Sequence, residues 1–164
     1  MSASQEAQPG TPEQSERSAD RKAASGWQRV REPVLLYLAV MAGTVIGGLL
    51  RALASMSMLA GLGPSFPWGT MFVNVAGSFV IGFFATLTGP DGRVFAGMYL
   101  RQFVMTGICG GFTTFSVFSL ETFQLAHDGS FSLAAINVSV SVVAWLLFVW
   151  IGHVAAARIN RIGG

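Results

Sequence analysis

The sequence has little cysteine and little charge. Its 164 residues include one cysteine, Cys109, which excludes an internal disulfide and a cysteine-rich metal site. Only 11% of the residues are charged, against about 25% in soluble domains, whereas 52% are hydrophobic. Ten of the 18 Lys, Arg, Asp and Glu residues precede Pro33. The rest of the chain is too sparsely charged for a soluble surface, which indicates a membrane protein.

Catalytic patterns are missing as well. The chain contains no HExxH motif, no GxSxG motif and no pair of carboxylates suited to acid–base chemistry. His127 and Asp128 are adjacent in a polar loop and are read as a turn. We therefore expect no enzyme activity, and we expect no nucleic-acid partner.

Four apolar stretches reach the length of about 20 residues that spans a bilayer. Short polar turns separate them, so consecutive helices are expected to be antiparallel neighbours in one bundle. We predict an all-α membrane protein with a disordered tail at residues 1–33 and a four-helix domain at residues 34–164. Pro33 is expected at the first helical position. The predicted spans are residues 34–58, 68–88, 96–125 and 131–157.

The distribution of Lys and Arg predicts the orientation. With four crossings, both tails and the middle loop share one side of the membrane, and only Arg51 lies toward the other. The positive-inside rule then places both termini in the cytoplasm of a cell that carries this protein in its plasma membrane. The basic residues on the cytoplasmic side are Arg17, Arg21, Lys22, Arg29, Arg31, Arg93, Arg101, Arg158 and Arg161.

The third apolar stretch contains a run that does not suit a plain membrane helix. Gly107, Gly110 and Gly111 weaken the helix, and hydroxyl side chains follow at once. In hydrocarbon, irregular backbone survives only where it is buried in protein or lines a cavity. We therefore predict a broken third helix near the membrane centre, with an ion or substrate site at the break.

Polar side chains elsewhere in the spans extend this prediction. Thr70, Asn74 and Ser78 are spaced four residues apart and form one stripe on the second helix, which favours a polar pathway. Arg51 is either an interfacial anchor or a positive charge at the mouth of an anion path. Glu121, the only carboxylate inside a predicted span, either pairs with a cation or lies at a helix end. Ser141 shares a face of the fourth helix with the residue four before it.

Three motifs together resemble the Fluc/CrcB family of fluoride channels, over about residues 36–157. The first motif is Gly43-x3-Gly47-Gly48-x2-Arg51. The second is Gly69-Thr70-x2-Val73-Asn74-x2-Gly77-Ser78-Phe79-x2-Gly82. The third is Gly107-x2-Gly110-Gly111-x-Thr113-Thr114-Phe115-Ser116-x-Phe118. A lone GxxxG would be weak, but the second and third motifs on consecutive spans are specific.

The resemblance implies a four-helix subunit that works as an antiparallel dimer with two pores and passively exports toxic fluoride. It implies that Phe115 and Phe118 line the fluoride path and that Asn74 belongs to a polar track. It further implies a pore serine at Ser141 and an acidic position at Glu121 near the two phenylalanines. From the residues themselves, we predict that Thr70, Ser78 and Thr114 belong to the same path, and we include Arg51 as a candidate charge at its mouth. Backbone carbonyls of Gly110 and Thr113 are implied to hold a structural sodium ion at the dimer centre.

Two other functions and two kinds of partner stay open. A small proton-coupled cation exporter shares the helix number but needs a carboxylate at the membrane centre. A non-transporting membrane scaffold would explain the glycines but not the polar stripe. The strong Lys/Arg bias conflicts with one chain inserting both ways. The antiparallel partner is therefore either a second copy or a homologous chain of opposite topology.

Overall fold

A computed structural model describes residues 12–90 and 92–161, with side chains from residue 31 onward. The secondary structure of these residues is helical and contains no strand. Its elements are α1 (Pro12–Leu62), α2 (Trp68–Leu87), α3 (Met98–Gln102), a π-helix (Phe103–Cys109), α4 (Gly110–Phe112), α5 (Phe115–His127) and α6 (Phe131–Arg161).

The N-terminal part differs from the prediction. The chain divides into two units, Met1–Leu35 and Leu36–Gly164. Helix α1 begins at Pro12, so Pro33 lies inside the helix and the expectation that it starts the helix is wrong. Of the predicted disordered tail, residues 1–11 lie outside the described residues, and the backbone of residues 12–33 is helical. Ala, Arg, Glu and Gln in this stretch have high helix propensity despite their polarity.

Four helical segments are long and apolar enough to cross a membrane, which confirms the predicted fold class. They are Arg31–Leu62, Trp68–Leu87, Met98–His127 and Phe131–Arg161. We call Met98–His127 the third span. It consists of α3, the π-helix, α4 and α5 with a non-helical step before α5, so the predicted break is confirmed.

The packing places apolar side chains outside and polar side chains inside. Large apolar residues such as Leu49 and Val143 are exposed on α1 and α6. The buried polar residues outnumber the buried apolar ones in the described part of the chain. They are Thr70, Asn74, Thr88, Thr114, Asn137 and Ser141. An apolar exterior suits lipid, and a polar interior requires that its hydrogen bonds be made within the protein.

Glycine allows the helices to approach closely, as the GxxxG spacing of Gly43 and Gly47 predicts. A Cβ atom at Gly43 would meet the backbone of Phe103, and one at Gly47 would meet the backbone of Ile108. Helices α2 and α6 pair in the same way. A Cβ atom at Gly82 would meet the Val149 carbonyl of α6, and Gly152 in turn lies against the backbone of α2.

Candidate functional site

The break in the third span lies at Thr113 and Thr114, not at the glycines. Thr113 (φ −83°, ψ 159°) and Thr114 (φ −151°, ψ 124°) are both extended. Gly107 and Gly111 are helical, and a Cβ atom on either would meet the backbone of α1. The glycines therefore serve close packing. The hydroxyl residues that follow form the break, and the π-helix before it is a feature often found at functional sites.

Asn74 of α2 holds the broken backbone with both ends of its amide. Its Nδ2 donates to the Thr114 carbonyl at 2.8 Å, and its Oδ1 accepts from the Thr114 backbone N–H at 2.7 Å. Both Asn74 and Thr114 are buried. The stripe asparagine predicted for a polar pathway is thus also the side chain that satisfies the extended backbone. Its amide nitrogen has two protons, and this pairing uses one of them.

The same arrangement diverts two backbone donors from the helical ladder. In a continuous α-helix the N–H of residue i bonds to the carbonyl of residue i−4. The Thr114 N–H, which would bond to the Gly110 carbonyl, is directed to Asn74 instead. The Val117 N–H, which would bond to the Thr113 carbonyl, donates to Thr114 Oγ1 at 3.2 Å. The carbonyls of Gly110 and Thr113 therefore lack the backbone N–H donors that a continuous helix would supply.

A cavity of about 340 Å³ lies against the break, and we call it the central cavity. Six of the predicted site residues line it, and none of its described lining residues is charged. Its lining residues are Asn74, Gly77, Ser78, Ile81, Met105, Cys109, Gly110, Thr113, Thr114, Phe115 and Trp145. Amide and hydroxyl groups in this cavity can donate hydrogen bonds to an anion.

Three aromatic rings stand in contact beside the central cavity. The ring centroids of Phe115 and Phe118 are 5.7 Å apart, and those of Phe118 and Trp145 are 4.9 Å apart at 72°. Phe115 is 72% exposed, whereas Phe118 is 6% exposed and lies between the other two. Phe118 is not among the described residues that line the cavity. The two predicted phenylalanines therefore differ in position, with Phe115 at the surface and Phe118 enclosed.

A second cavity of about 420 Å³ lies near the loops that follow α1 and α5, and we call it the outer cavity. Thr70 and Glu121 line it together with Ser55 and Asp128. Glu121 Oε2 is buried without a hydrogen-bond partner among the described residues. Arg51 is not among its described lining residues but lies one helical turn before Ser55.

Sequence comparison identifies the family. The model for "CrcB-like protein, Camphor Resistance (CrcB)" matches residues 38–153. The chain belongs to the CrcB family. It is 57% identical over 135 residues to "Fluoride-specific ion channel FluC 1" of Rhodopseudomonas palustris, covering 82% of this chain and 96% of that relative. It is 55% identical over 127 residues to "Fluoride-specific ion channel FluC" of Rhodospirillum rubrum, covering 77% and 98%.

This CrcB chain has a second polar cluster that sequence reasoning identified only in part. Asn137 of α6 donates to Thr122 Oγ1 at 2.8 Å, and Ser141 Oγ donates to Asn137 Oδ1 at 3.5 Å. Asn137 and Ser141 are each 1% exposed. Ser141, predicted as a pathway residue, is therefore separate from the residues that line either cavity. The four-residue spacing of Asn137 and Ser141 indicated their shared face, but nothing in the sequence indicated Thr122 as the partner.

Trp145 of this CrcB chain lines the central cavity, but the sequence does not predict it as a site residue. It lies on α6, four residues beyond Ser141. Its neighbours in the sequence are apolar, so the sequence predicts only that it belongs to the fourth span. Trp145 thus lies one helical turn after Ser141 and two turns after Asn137, and this polar spacing was the signal available in the sequence.

Proposed function

We propose that this chain forms a fluoride-selective channel that lets toxic fluoride leave the cytoplasm passively. Its relatives carry the name of an ion channel, which places the chain among channels and not among enzymes. The observation that carries the proposal is the central cavity, where Asn74, Ser78 and Thr114 supply neutral donors inside an apolar membrane protein.

The chemistry of these donors suits fluoride. Fluoride is small and strongly hydrated, so a pore must replace its water with protein donors. Amide and hydroxyl groups do this without a fixed positive charge, and conduction requires binding weak enough for the ion to leave. The positive edge of an aromatic ring adds a further weak contact, and exposed Phe115 offers its ring to the cavity.

The test is fluoride efflux from liposomes that contain the purified chain, followed with a fluoride electrode. We expect fast efflux of fluoride with chloride retained. Transport of a cation driven by a proton gradient, without fluoride efflux, would instead favour the cation exporter. The absence of any transport by this chain with every homologous partner would favour the scaffold. Substituting Phe115 with Ile should reduce flux while leaving assembly intact, because only the ring edge is lost.

We propose further that the channel is a dimer with a structural sodium ion. Sodium is a hard cation that takes oxygen ligands. The carbonyls of Gly110 and Thr113 have lost their helical donors, and both residues line the central cavity. Two carbonyls are too few for such an ion. Because Gly110 is exposed and a Cβ there would meet nothing within 4 Å, its surface is suited to receive a second subunit with two more carbonyls.

The sodium site has its own test. Replacing Thr114 with Val removes the hydroxyl that accepts from the Val117 N–H, so that donor can return to the Thr113 carbonyl. We expect the sodium concentration for half-maximal flux to rise about tenfold, since one ligand is weakened. The control is Thr106→Val, which removes an exposed hydroxyl bonded to Gln102 in the same span. Equal sodium dependence in both variants would show that the Thr113 carbonyl is not a sodium ligand.

The proposed orientation has both termini in the cytoplasm, as the Lys/Arg bias favours. Because an antiparallel dimer needs two opposite orientations, the partner is either a second copy inserted the other way or a homologous chain. Cysteine labelling from each side of the membrane distinguishes the two. Labelling of this chain from both sides, when it is expressed alone, supports the homodimer, and labelling from one side supports the heterodimer.

A further inference from the structure

Trp145 presents a hydrogen-bond donor that the described protein does not use. Its indole Nε1 is buried and has no hydrogen-bond partner among the described residues. The same side chain lines the central cavity. Buried tryptophan N–H groups usually find a partner, and an unmet one costs free energy in an apolar surrounding. Such an exception, at a cavity that already contains the amide of Asn74, points to a ligand.

The indole is held in place by its neighbours. Phe118 packs against it in a T-shaped contact, and Phe118 is itself almost fully enclosed. Asn137, Ser141 and Trp145 follow at four-residue intervals on α6, so they share one face. The stripe on α2 that contains Asn74 reaches the same cavity. Two helices thus bring polar groups to one cavity, and the α6 group that lines it is the indole.

The chemistry of the indole restricts the ligand. Tryptophan Nε1–H is a donor only, and it neither accepts a hydrogen bond nor changes charge. A cation is therefore excluded as its partner, whereas a small anion fits. Asn74 retains a second amide proton, and Ser78 adds a hydroxyl in the same cavity. These groups can share a hydrogen-bond acceptor, and in a fluoride channel that acceptor is the dehydrated halide.

We propose that the Nε1–H of Trp145 donates directly to fluoride in the central cavity and is a selectivity residue of the path. This proposal rests on the proposed channel function. Because the ring is held by Phe118, the donor stays in position when the ion arrives and requires little rearrangement. A rigid donor favours the small ion that forms the shorter hydrogen bond, which is fluoride over chloride.

The first experiment compares Trp145→Phe with Trp150→Phe in the full chain in liposomes. Trp145→Phe removes the donor and keeps an aromatic ring against Phe118. Trp150 lies on the same helix and is 61% exposed, so Trp150→Phe is the matched control. We expect Trp145→Phe to lower fluoride efflux about tenfold, as expected for one lost hydrogen bond to a charged group. The control should stay within about twofold of the unaltered chain. Equal efflux in both variants would overturn the proposal.

The second experiment uses the unaltered chain and does not depend on a variant folding. The indole N–H resonances of the ¹⁵N-labelled chain in lipid nanodiscs are titrated with sodium fluoride and with sodium chloride. We expect the Trp145 resonance to move with fluoride and not with chloride, while that of Trp150 stays fixed. A Trp145 resonance unmoved by fluoride would overturn the proposal.

The two experiments separate this proposal from the channel function. If the unaltered chain conducts fluoride but the indole resonance does not respond, the channel function stands and the role of Trp145 fails. If the chain conducts neither alone nor with a homologous partner and the resonance still responds to fluoride, the binding site is supported and the channel function fails.

Discussion

The central cavity and the outer cavity are similar in size but differ in chemistry. The central cavity measures about 340 Å³, and its described lining residues are neutral. The outer cavity measures about 420 Å³ and includes the carboxylates of Glu121 and Asp128. A fixed positive charge would hold an anion, and a negative charge would repel it. The neutral cavity is thus suited to binding and release, and the acidic one to controlling entry.

The two cavities also differ in how their polar groups are satisfied. Asn74 bonds the backbone of Thr114 with both ends of its amide, so the central cavity is rigid. In the outer cavity, Glu121 Oε2 is buried without a partner among the described residues. Substitutions in the central cavity are therefore expected to act through structure and binding together, whereas those in the outer cavity are expected to act mainly through charge.

The largest effect is expected for Asn74→Ala. It removes both hydrogen bonds to Thr114, which restrain the break, and it removes the proposed hydrogen-bond donor to the ion. We expect fluoride efflux to fall at least about 100-fold, with a loss of about 1–3 kcal/mol of stability. The measurements are efflux from liposomes and thermal unfolding in detergent.

Asn160→Ala is the matched control for that substitution. Asn160 also bonds the backbone with both ends of its amide, accepting from the Arg93 N–H and donating to the Thr86 carbonyl at 3.1 Å each. It lies outside the described lining of both cavities. We expect a similar loss of stability with efflux unchanged within about twofold. Equal loss of efflux in both variants would show that Asn74 acts only through folding.

An intermediate effect is expected for Gly77→Ala in the central cavity. Its Cβ atom would overlap the Thr113 methyl group, so Thr113 must move, and its carbonyl moves with it. We expect efflux to fall about tenfold at a modest cost in stability, as for other overpacked sites. The comparison is Gly69→Ala in the outer cavity, where the nearest atoms, Ser55 Cα and Cβ, are 3.0 and 3.1 Å away. A larger loss of efflux from Gly69→Ala than from Gly77→Ala would mean that the outer cavity, and not the central one, binds the ion.

The smallest effect is expected for Glu121→Gln in the outer cavity. Removing a half-buried negative charge should raise fluoride entry roughly two- to fivefold at low ionic strength, because the repulsion of the anion is lost. Asp128→Asn removes an exposed charge from the same cavity and should have less effect, since solvent and salt screen it. Initial efflux rates of the two variants at low and at high salt test these expectations. A decrease with Glu121→Gln would mean that the carboxylate assists fluoride.

The fold was predictable because bilayer thickness and helix geometry constrain it strongly. Four apolar stretches sufficed to predict four helices, and the polar stripe through Asn74 indicated its buried face. The position of the break was less predictable. Gly107 and Gly111 suggested a weakened helix, but they are helical and pack against α1. Glycine both weakens helices and permits close approach, and only the neighbouring helix determines which property matters.

The partners of the polar residues were beyond sequence reasoning. Asn74 bonds to Thr114, which is 40 residues away in the chain, so no local pattern could pair them. Thr122 and Asn137 are likewise joined only when α5 and α6 pack together. Trp145 was missed because its side chain is mostly apolar, and its single donor matters only where a cavity meets it.

The π-helix at Phe103–Cys109 has a consequence for how this protein can change. A π-helix bonds each N–H to the carbonyl five residues back, so each turn contains more residues than an α-turn. Deleting one residue there would restore α-helical phasing and rotate Thr113 and Thr114 away from Asn74. The proposed ion path is therefore expected to be sensitive to the length of this segment as well as to its composition. In-frame deletions and insertions, which tolerant surface loops accept, are expected to be selected against here.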